Sequence, residues 1–99
     1  MKMIDPTAMS RFTALREAAR KVARLVPPAC LMEQPPHESR DTASVALEFP
    51  TPLVILNSTI RQGLSFPFSA CDTVQTDKTE RGICFTFTVS RMWVTEEPE

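Results

Sequence analysis

The clearest pattern of hydrophobic and polar positions lies near the N-terminus, where apolar residues recur at helical spacing. With successive residues about 100° apart, one apolar stripe is formed by Ala8, Phe12, Leu15, Ala19, Val22, Ala23 and Val26. Asp5 is a suitable N-cap and Pro6 suits the first helical position, whereas Pro27-Pro28 cannot continue a helix. The pattern predicts an amphipathic helix over 6–26 whose apolar stripe packs on a sheet.

The stretch after this helix has no regular period. Residues 27–42 are mostly polar and contain four prolines, Pro27, Pro28, Pro35 and Pro36. Such a composition is typical of an extended connection with polyproline character. We therefore expect a connecting loop over 27–42.

From residue 43 onward the apolar period changes to two, which indicates half-buried strands. Strands are predicted at 43–49, 53–60, 64–70 and 83–93, with a turn at 61–63 where Gly63 is free to adopt positive φ and a polar loop at 72–82. Pro67 removes a backbone donor and places the third strand at an edge. The predicted fold is α+β, with one N-terminal helix packed across a four-stranded antiparallel meander in the order α-β-β-β-β.

Length and composition indicate a single domain over 1–99, with the sheet at 43–94 and an acidic, disordered tail at 95–99. An apolar fraction of 42% can supply one core. No run approaches the length of a membrane span, and the N-terminus lacks the apolar segment of a secretory signal. These features predict a cytoplasmic protein.

Charge divides the chain unevenly. Residues 1–26 carry six lysines and arginines and two acidic residues, a net charge of +4, whereas residues 27–99 carry five and ten, a net charge of −5. Arg20, Lys21 and Arg24 lie opposite the apolar stripe of the helix. A basic face can dock phosphate or an acidic protein surface. The alternative is that these side chains only solvate the helix and complement its dipole.

Catalytic and cofactor-binding motifs are excluded by what the sequence lacks. Two glycines cannot form a dinucleotide fingerprint or a phosphate-binding loop. With His37 as the sole histidine, a nucleophilic triad would need Cys30 and Asp41, all in or beside the proline-rich loop. The three cysteines are too widely spaced for a structural zinc site and indicate free, mostly buried thiols. We expect no enzyme activity, no cofactor and no metal.

The remaining hypotheses concern binding. The first is a small protein-binding module, an inhibitor or adaptor of the type made by phages and mobile elements. The alternatives are a nucleic-acid accessory protein that contacts phosphates through the basic helix face, and a minor structural subunit that oligomerises through its sheet. The expected partner is a protein, with weaker nucleic-acid contact as the alternative and a homodimer formed through a sheet edge or near the final strand. The candidate binding residues are Arg16, Arg20, Lys21, Arg24, Met92 and Val94.

Overall fold

The fold is described here from a computed structural model, in which residues 2–26, 29–50, 56–80 and 82–95 are placed. The elements in chain order are β1 (Lys2–Ile4), α1 (Pro6–Leu25), β2 (Cys30–Gln34), β3 (Ala43–Phe49), α2 (Ser58–Ala70), β4 (Thr73–Lys78), β5 (Ile83–Val89) and β6 (Trp93–Thr95). An N-terminal helix is followed by a four-stranded antiparallel sheet, which confirms the predicted α+β class.

Helix α1 forms where the apolar stripe predicts it. Asp5 adopts an extended backbone, and its Oδ1 accepts a hydrogen bond of 3.2 Å from Thr7 N–H, as an N-cap should. The side chains that the helix buries all belong to the predicted stripe and are Ala8, Phe12, Leu15, Ala19 and Val22. The sequence pattern therefore predicted both the extent of this helix and the side that faces the core.

The four-stranded sheet has the order β2-β3-β5-β4, and every neighbouring pair is antiparallel. The predicted meander is wrong in this respect, because β5 returns to lie beside β3 and leaves β4 at an edge. Val45 is paired with Phe87 and Leu47 with Phe85, and these side chains form the centre of the core under the helices. We call the side of the sheet that carries these residues the inner face, and the opposite side the outer face.

The largest difference from the sequence prediction lies between residues 56 and 70. The structure places a helix, α2, over Ser58–Ala70, where a strand end, a turn at 61–63 and a strand over 64–70 were expected. Of the predicted strand at 53–60, residues 53–55 lie outside the described residues. Residues 58–60, by contrast, form the first turn of α2.

Helix α2 follows from a local capping arrangement and a helical spacing of apolar residues. The Asn57 side chain accepts hydrogen bonds from Thr59 N–H at 2.9 Å and Ile60 N–H at 3.2 Å. The buried side chains are those of Ile60, Leu64 and Pro67, a spacing of four and then three residues that lies on one helix face. The strand prediction was wrong because residues 64, 66, 68 and 70 also satisfy a period of two.

Gly63 lies inside α2 and does not have positive φ, so its predicted role in a turn is also wrong. A Cβ atom at this position would lie 2.8 Å from Val22 Cγ2, closer than van der Waals contact permits. The glycine therefore allows α2 to approach α1 closely.

Gly63→Ala tests this close approach. Alanine is favoured over glycine in a helix interior by about 1 kcal/mol, but the branched Val22 side chain is stiff and cannot easily move away. We expect overpacking to outweigh the propensity gain, with a net loss of about 1 kcal/mol in the free energy of unfolding by urea. In a Val22→Ala background the same substitution should be neutral or stabilising. An equal effect in both backgrounds would show that the helices do not meet here.

Two segments expected to be loops contain the outer strands of the sheet. Strand β2 lies within the predicted 27–42 loop, and β4 lies within the predicted 72–82 loop. Both were missed because an edge strand has little one-sided burial, so it lacks the apolar alternation of a central strand. All six residues of β4 are exposed.

The last predicted strand is confirmed over Ile83–Val89 and then breaks. Arg91 has a φ of 57°, in the left-handed region that a bulky residue seldom adopts, and the chain changes direction there. Beyond it, β6 pairs antiparallel with β1 to form a separate two-stranded sheet. Residues 96–99, which hold most of the predicted acidic tail, lie outside the described residues. No helix in the described ranges has the length and apolarity needed to cross a membrane.

Candidate functional site

Two of the four candidate cations on α1, Arg16 and Arg20, pair with a single carboxylate of the sheet. Arg20 Nη2 lies 2.8 Å from Glu33 Oε1 and donates a hydrogen bond of 3.0 Å to Oε2. Arg16 Nε lies 3.7 Å from the same Oε1, which is an ion pair but too long for a hydrogen bond. Glu33 is on β2 opposite Val45, so its carboxylate rises from the inner face toward α1. These two arginines therefore hold the helix to the sheet edge.

The other two candidate cations on the helix stay in solvent. Lys21 and Arg24 are exposed, and the structure gives their side chains no ion pair with any described residue. Arg24 borders a shallow depression that also includes Arg20, Ala23 and Leu31. Because Glu33 offsets one of the four candidate positive charges, the basic surface of α1 is smaller than the sequence indicates.

The two apolar candidates near the C-terminus differ in exposure. Met92 is fully buried in the core, so the prediction that it forms part of a surface is wrong. It is buried because the chain turns inward at Arg91, and Met92 N–H then donates to the Asp41 carbonyl oxygen. Val94 is exposed on β6. The structure thus does not bring Met92 and Val94 together on one surface.

A different part of the surface, on the same face of the sheet but where α2 packs on β5, is both apolar and open. An exposed groove of about 540 Å³ is lined by Leu56, Arg61, Leu64, Phe68 and Phe85. We call this the α2 groove. Leu56 is 72% exposed and Phe68 is 43% exposed, which is high for side chains of this size in a monomer.

The position of Phe68 explains how the groove arises. Its ring meets those of Phe85 and Phe87 edge to face, with centroid distances of 5.7 and 5.3 Å. These contacts fix one side of the Phe68 ring against β5. The other side faces outward, because no described element lies over the inner face of the neighbouring strand, β4.

Arg61 gives the groove a charge at its border. Its side chain is exposed, and no described carboxylate lies within ion-pair distance of it. The same arginine also borders a polar depression formed with Ser58, Gln62 and Ser65. An apolar centre with a polar and cationic rim is the general arrangement of a surface that binds another macromolecule.

A separate polar cluster locks the end of α2 to the rest of the fold. Asp72 accepts hydrogen bonds from Ser90 N–H at 2.7 Å and from Arg11 Nη2 at 2.9 Å. Arg11 also donates to the Ala70 carbonyl oxygen. The hydrogen bond from Ser90, followed by that from Arg11, lowers the pKa of the Asp72 carboxyl below its ordinary value of 3.8.

This pKa shift predicts an acid sensitivity. Because the pKa of Asp72 is lower in the folded state, its contribution to stability is present above pH 3.8 and is lost as the pH falls through the folded-state value. We expect Asp72→Asn to be less stable than the unsubstituted chain at neutral pH and to lose less further stability on acidification. Urea unfolding at a series of pH values measures this, and an identical pH dependence in the two proteins would contradict it.

The cysteines form no disulfide bonds, as predicted. Cys84 is buried and Cys71 is partly buried, and burial raises the pKa of both thiols. Cys30 is exposed, which differs from the expectation that the thiols are mostly buried. Within the described ranges, no three histidine, cysteine or acidic side chains lie close enough together to hold a metal ion.

The residues considered for a nucleophilic triad contact other groups. The His37 ring Nδ1 lies 2.7 Å from Ser39 Oγ. Asp41 Oδ1 accepts a hydrogen bond of 3.4 Å from Trp93 N–H, and the Trp93 indole donates to the His37 carbonyl oxygen. These contacts join the loop after β2 to β6 and so have a structural role.

Sequence reasoning missed the groove residues because it treated their segment as strand and turn. The signal that identifies them is the Asn57 cap followed by apolar residues at 60, 64 and 67, which makes 58–70 a helix. On such a helix Arg61 and Phe68 lie at one edge of the buried stripe and flank the groove. Comparison of the chain with protein-family models, with curated proteins and with solved structures finds no match.

Proposed function

We propose that this chain is a non-enzymatic protein-binding module that holds an apolar segment of its partner in the α2 groove. The observation that carries the proposal is that Leu56 and Phe68 are left exposed in one groove and that no described element covers the nearby strand β4. Large apolar side chains gathered in an open groove on a small protein are typical of an interaction site. The groove is open to solvent rather than enclosed, which suits a segment of another protein better than a buried small molecule.

Charge indicates what the partner segment contains. Arg61 has no described acidic neighbour, and the polar residues beside it provide further donors and acceptors. A partner with a large apolar side chain and a nearby carboxylate would fill the groove and pair with this guanidinium. The segment is therefore apolar and acidic.

The alternative of nucleic-acid binding through α1 has less support. Arg16 and Arg20 share an ion pair with Glu33, so Lys21 and Arg24 are the cations on that face without a described acidic partner. Two phosphate contacts would give only weak, strongly salt-dependent binding.

Capture of the partner from nuclease-treated lysate of the source organism separates these functions. We expect Phe68→Ser and Arg61→Glu each to abolish capture, because the first removes the apolar wall and the second places a like charge opposite the acidic segment. The matched control is Phe66→Ser, since Phe66 is similarly exposed on the same helix but does not line the groove. It should capture the partner normally.

The double variant Lys21→Glu, Arg24→Glu should also retain capture, and the melting temperature of each variant verifies that it folds. If this double variant loses capture while Phe68→Ser and Arg61→Glu retain it, the binding site lies on α1 and the groove proposal is wrong. If nuclease alone removes the captured protein, nucleic acid is the partner.

A further inference from the structure

We infer that a second copy of this chain pairs with β4 through a two-fold axis, which joins the two four-stranded sheets into one antiparallel sheet. This inference concerns the backbone edge of β4 and is independent of what the α2 groove binds. It rests on three observations: the lack of cover on β4, the contrast with the other edge strand, and the charge pattern of the β4 sequence.

Strand β4 is open in a way that monomeric proteins usually avoid. Its six residues are all exposed, and it is paired on one side only, with β5. Half of the backbone donors and acceptors of such a strand point to the outside and can pair with another strand. Thr73, Val74 and Thr76 are β-branched, which favours an extended backbone.

The opposite edge strand, β2, is better protected than β4. Two prolines, Pro35 and Pro36, follow β2 directly, and the charged Glu33 points from its inner face toward α1. Both features are known ways of preventing a sheet edge from pairing with another strand. Strand β4 has no proline within it or beside it, and its two charged residues, Asp77 and Lys78, lie together at its C-terminal end, so the first four residues of the edge are uncharged.

The faces of β4 limit the possible registers. Thr76 is paired with Phe85 and Val74 with Phe87, so Val74 and Thr76 lie on the inner face while Thr73, Gln75 and Asp77 lie on the outer face. In a continuous sheet, directly opposed residues lie on the same face. Two registers with a two-fold axis meet this condition and keep five residues of each β4 paired. One is centred on Gln75 and the other on Thr76.

Charge selects the register centred on Gln75. This register places Thr73 opposite Asp77 of the second copy, so that a hydroxyl donor meets a carboxylate. It also places Lys78 next to Asp72 of the second copy, so that a cation meets a carboxylate. The register centred on Thr76 instead brings Asp72 toward Glu80 of the second copy, a repulsive pair. The occupant of the β4 edge is accordingly a second copy in the Gln75 register.

The dimer leaves both α2 grooves accessible. A two-fold axis perpendicular to the sheet keeps the helices of both copies on the same side. Val74 and Thr76 of the two central strands then form the floor between the two α2 helices. Each copy can therefore still bind a partner segment beside its own α2.

Sedimentation equilibrium at tens of micromolar tests the dimer. The unsubstituted chain should sediment at twice its mass of 11.1 kDa. Gln75→Lys places two lysines opposite each other at the axis and should weaken the dimer roughly tenfold or more while the melting temperature of the fold is retained. Met32→Lys, an exposed substitution on β2, is the matched control and should leave the dimer intact.

Cysteine substitution tests the register itself. Under mild oxidation Gln75→Cys should form a covalent dimer, because opposed Cβ atoms in this register are about 5 Å apart. Thr76→Cys should form much less, and the unsubstituted chain measures any linkage through its native cysteines. A chain that sediments only as a monomer, a dimer unaffected by Gln75→Lys, or preferential linkage through Thr76→Cys would overturn the inference. A monomer that still captures a partner through Phe68 would overturn the dimer alone and leave the groove proposal standing.

Discussion

Leu15→Asp should leave the chain without a cooperative unfolding transition. Leu15 is fully buried where α1 packs on the sheet, and the structure places no buried polar or charged side chain among the described core residues. A carboxylate there would be buried without a partner, which is far more costly than the loss of one apolar side chain. A domain of this size is stable by only about 5–15 kcal/mol, so this substitution should unfold it.

The matched control is Leu25→Asp, at the end of the same helix, where the side chain is 53% exposed. This variant should keep a cooperative melt, with a small loss of stability because a negative charge near the C-terminus of a helix opposes the dipole. Far-UV circular dichroism during heating measures both variants. A cooperative melt of Leu15→Asp near that of the unsubstituted chain would show that α1 is not part of the core.

Phe87→Ala should reduce the free energy of unfolding by about 3–5 kcal/mol, the usual cost of removing a buried aromatic side chain. Phe87 is fully buried at the centre of β5, opposite Val45 and in edge-to-face contact with Phe68. Its removal would leave a cavity that the central strands of the sheet cannot easily close.

Phe68→Ala is the informative comparison for Phe87→Ala. The two rings touch, but Phe68 is 43% exposed, so its truncation should cost distinctly less. Urea unfolding of both variants gives the two free energies. An equal cost would mean that Phe68 serves the core as much as Phe87 does, which would remove the main reason for assigning its exposed side to a partner.

The elements that sequence could predict are those with one face in the core. Helix α1 and strands β3 and β5 carry apolar residues at one regular period, and burial in the structure follows that period closely. In these elements local sequence and tertiary packing impose the same pattern. Their type could therefore be predicted from the sequence, and so could their extent, except that β5 ends at Val89 rather than at 93.

Helix α2 could not be identified by period alone. Apolar residues at 64, 66, 68 and 70 match a strand, and Gly63 and Pro67 are residues that usually interrupt helices. The local signals that favour the helix are the Asn57 cap and the apolar residues at 60, 64 and 67, and the period-two pattern obscures them. The close approach of Gly63 to Val22, far apart in the sequence, explains why a glycine is found inside this helix.

The candidate site shows the same limit. The basic stripe on α1 was evident in the sequence, but its pairing with Glu33 requires β2 to be a strand with that residue on the inner face. The α2 groove requires both the helix and the uncovered β4, neither of which has a strong periodic signal. A surface site formed by side chains that no other element covers can be predicted only when the complete topology of the fold is known.

The most direct test of the groove proposal is site-specific photocrosslinking. A photoreactive amino acid at Leu56, the most exposed apolar residue of the groove, is compared with the same amino acid at Met32 on β2. The proposal predicts that Leu56 becomes covalently attached to the captured partner and that Met32 does not. Attachment from Met32 without attachment from Leu56 would show that the partner binds elsewhere and would contradict the proposed function.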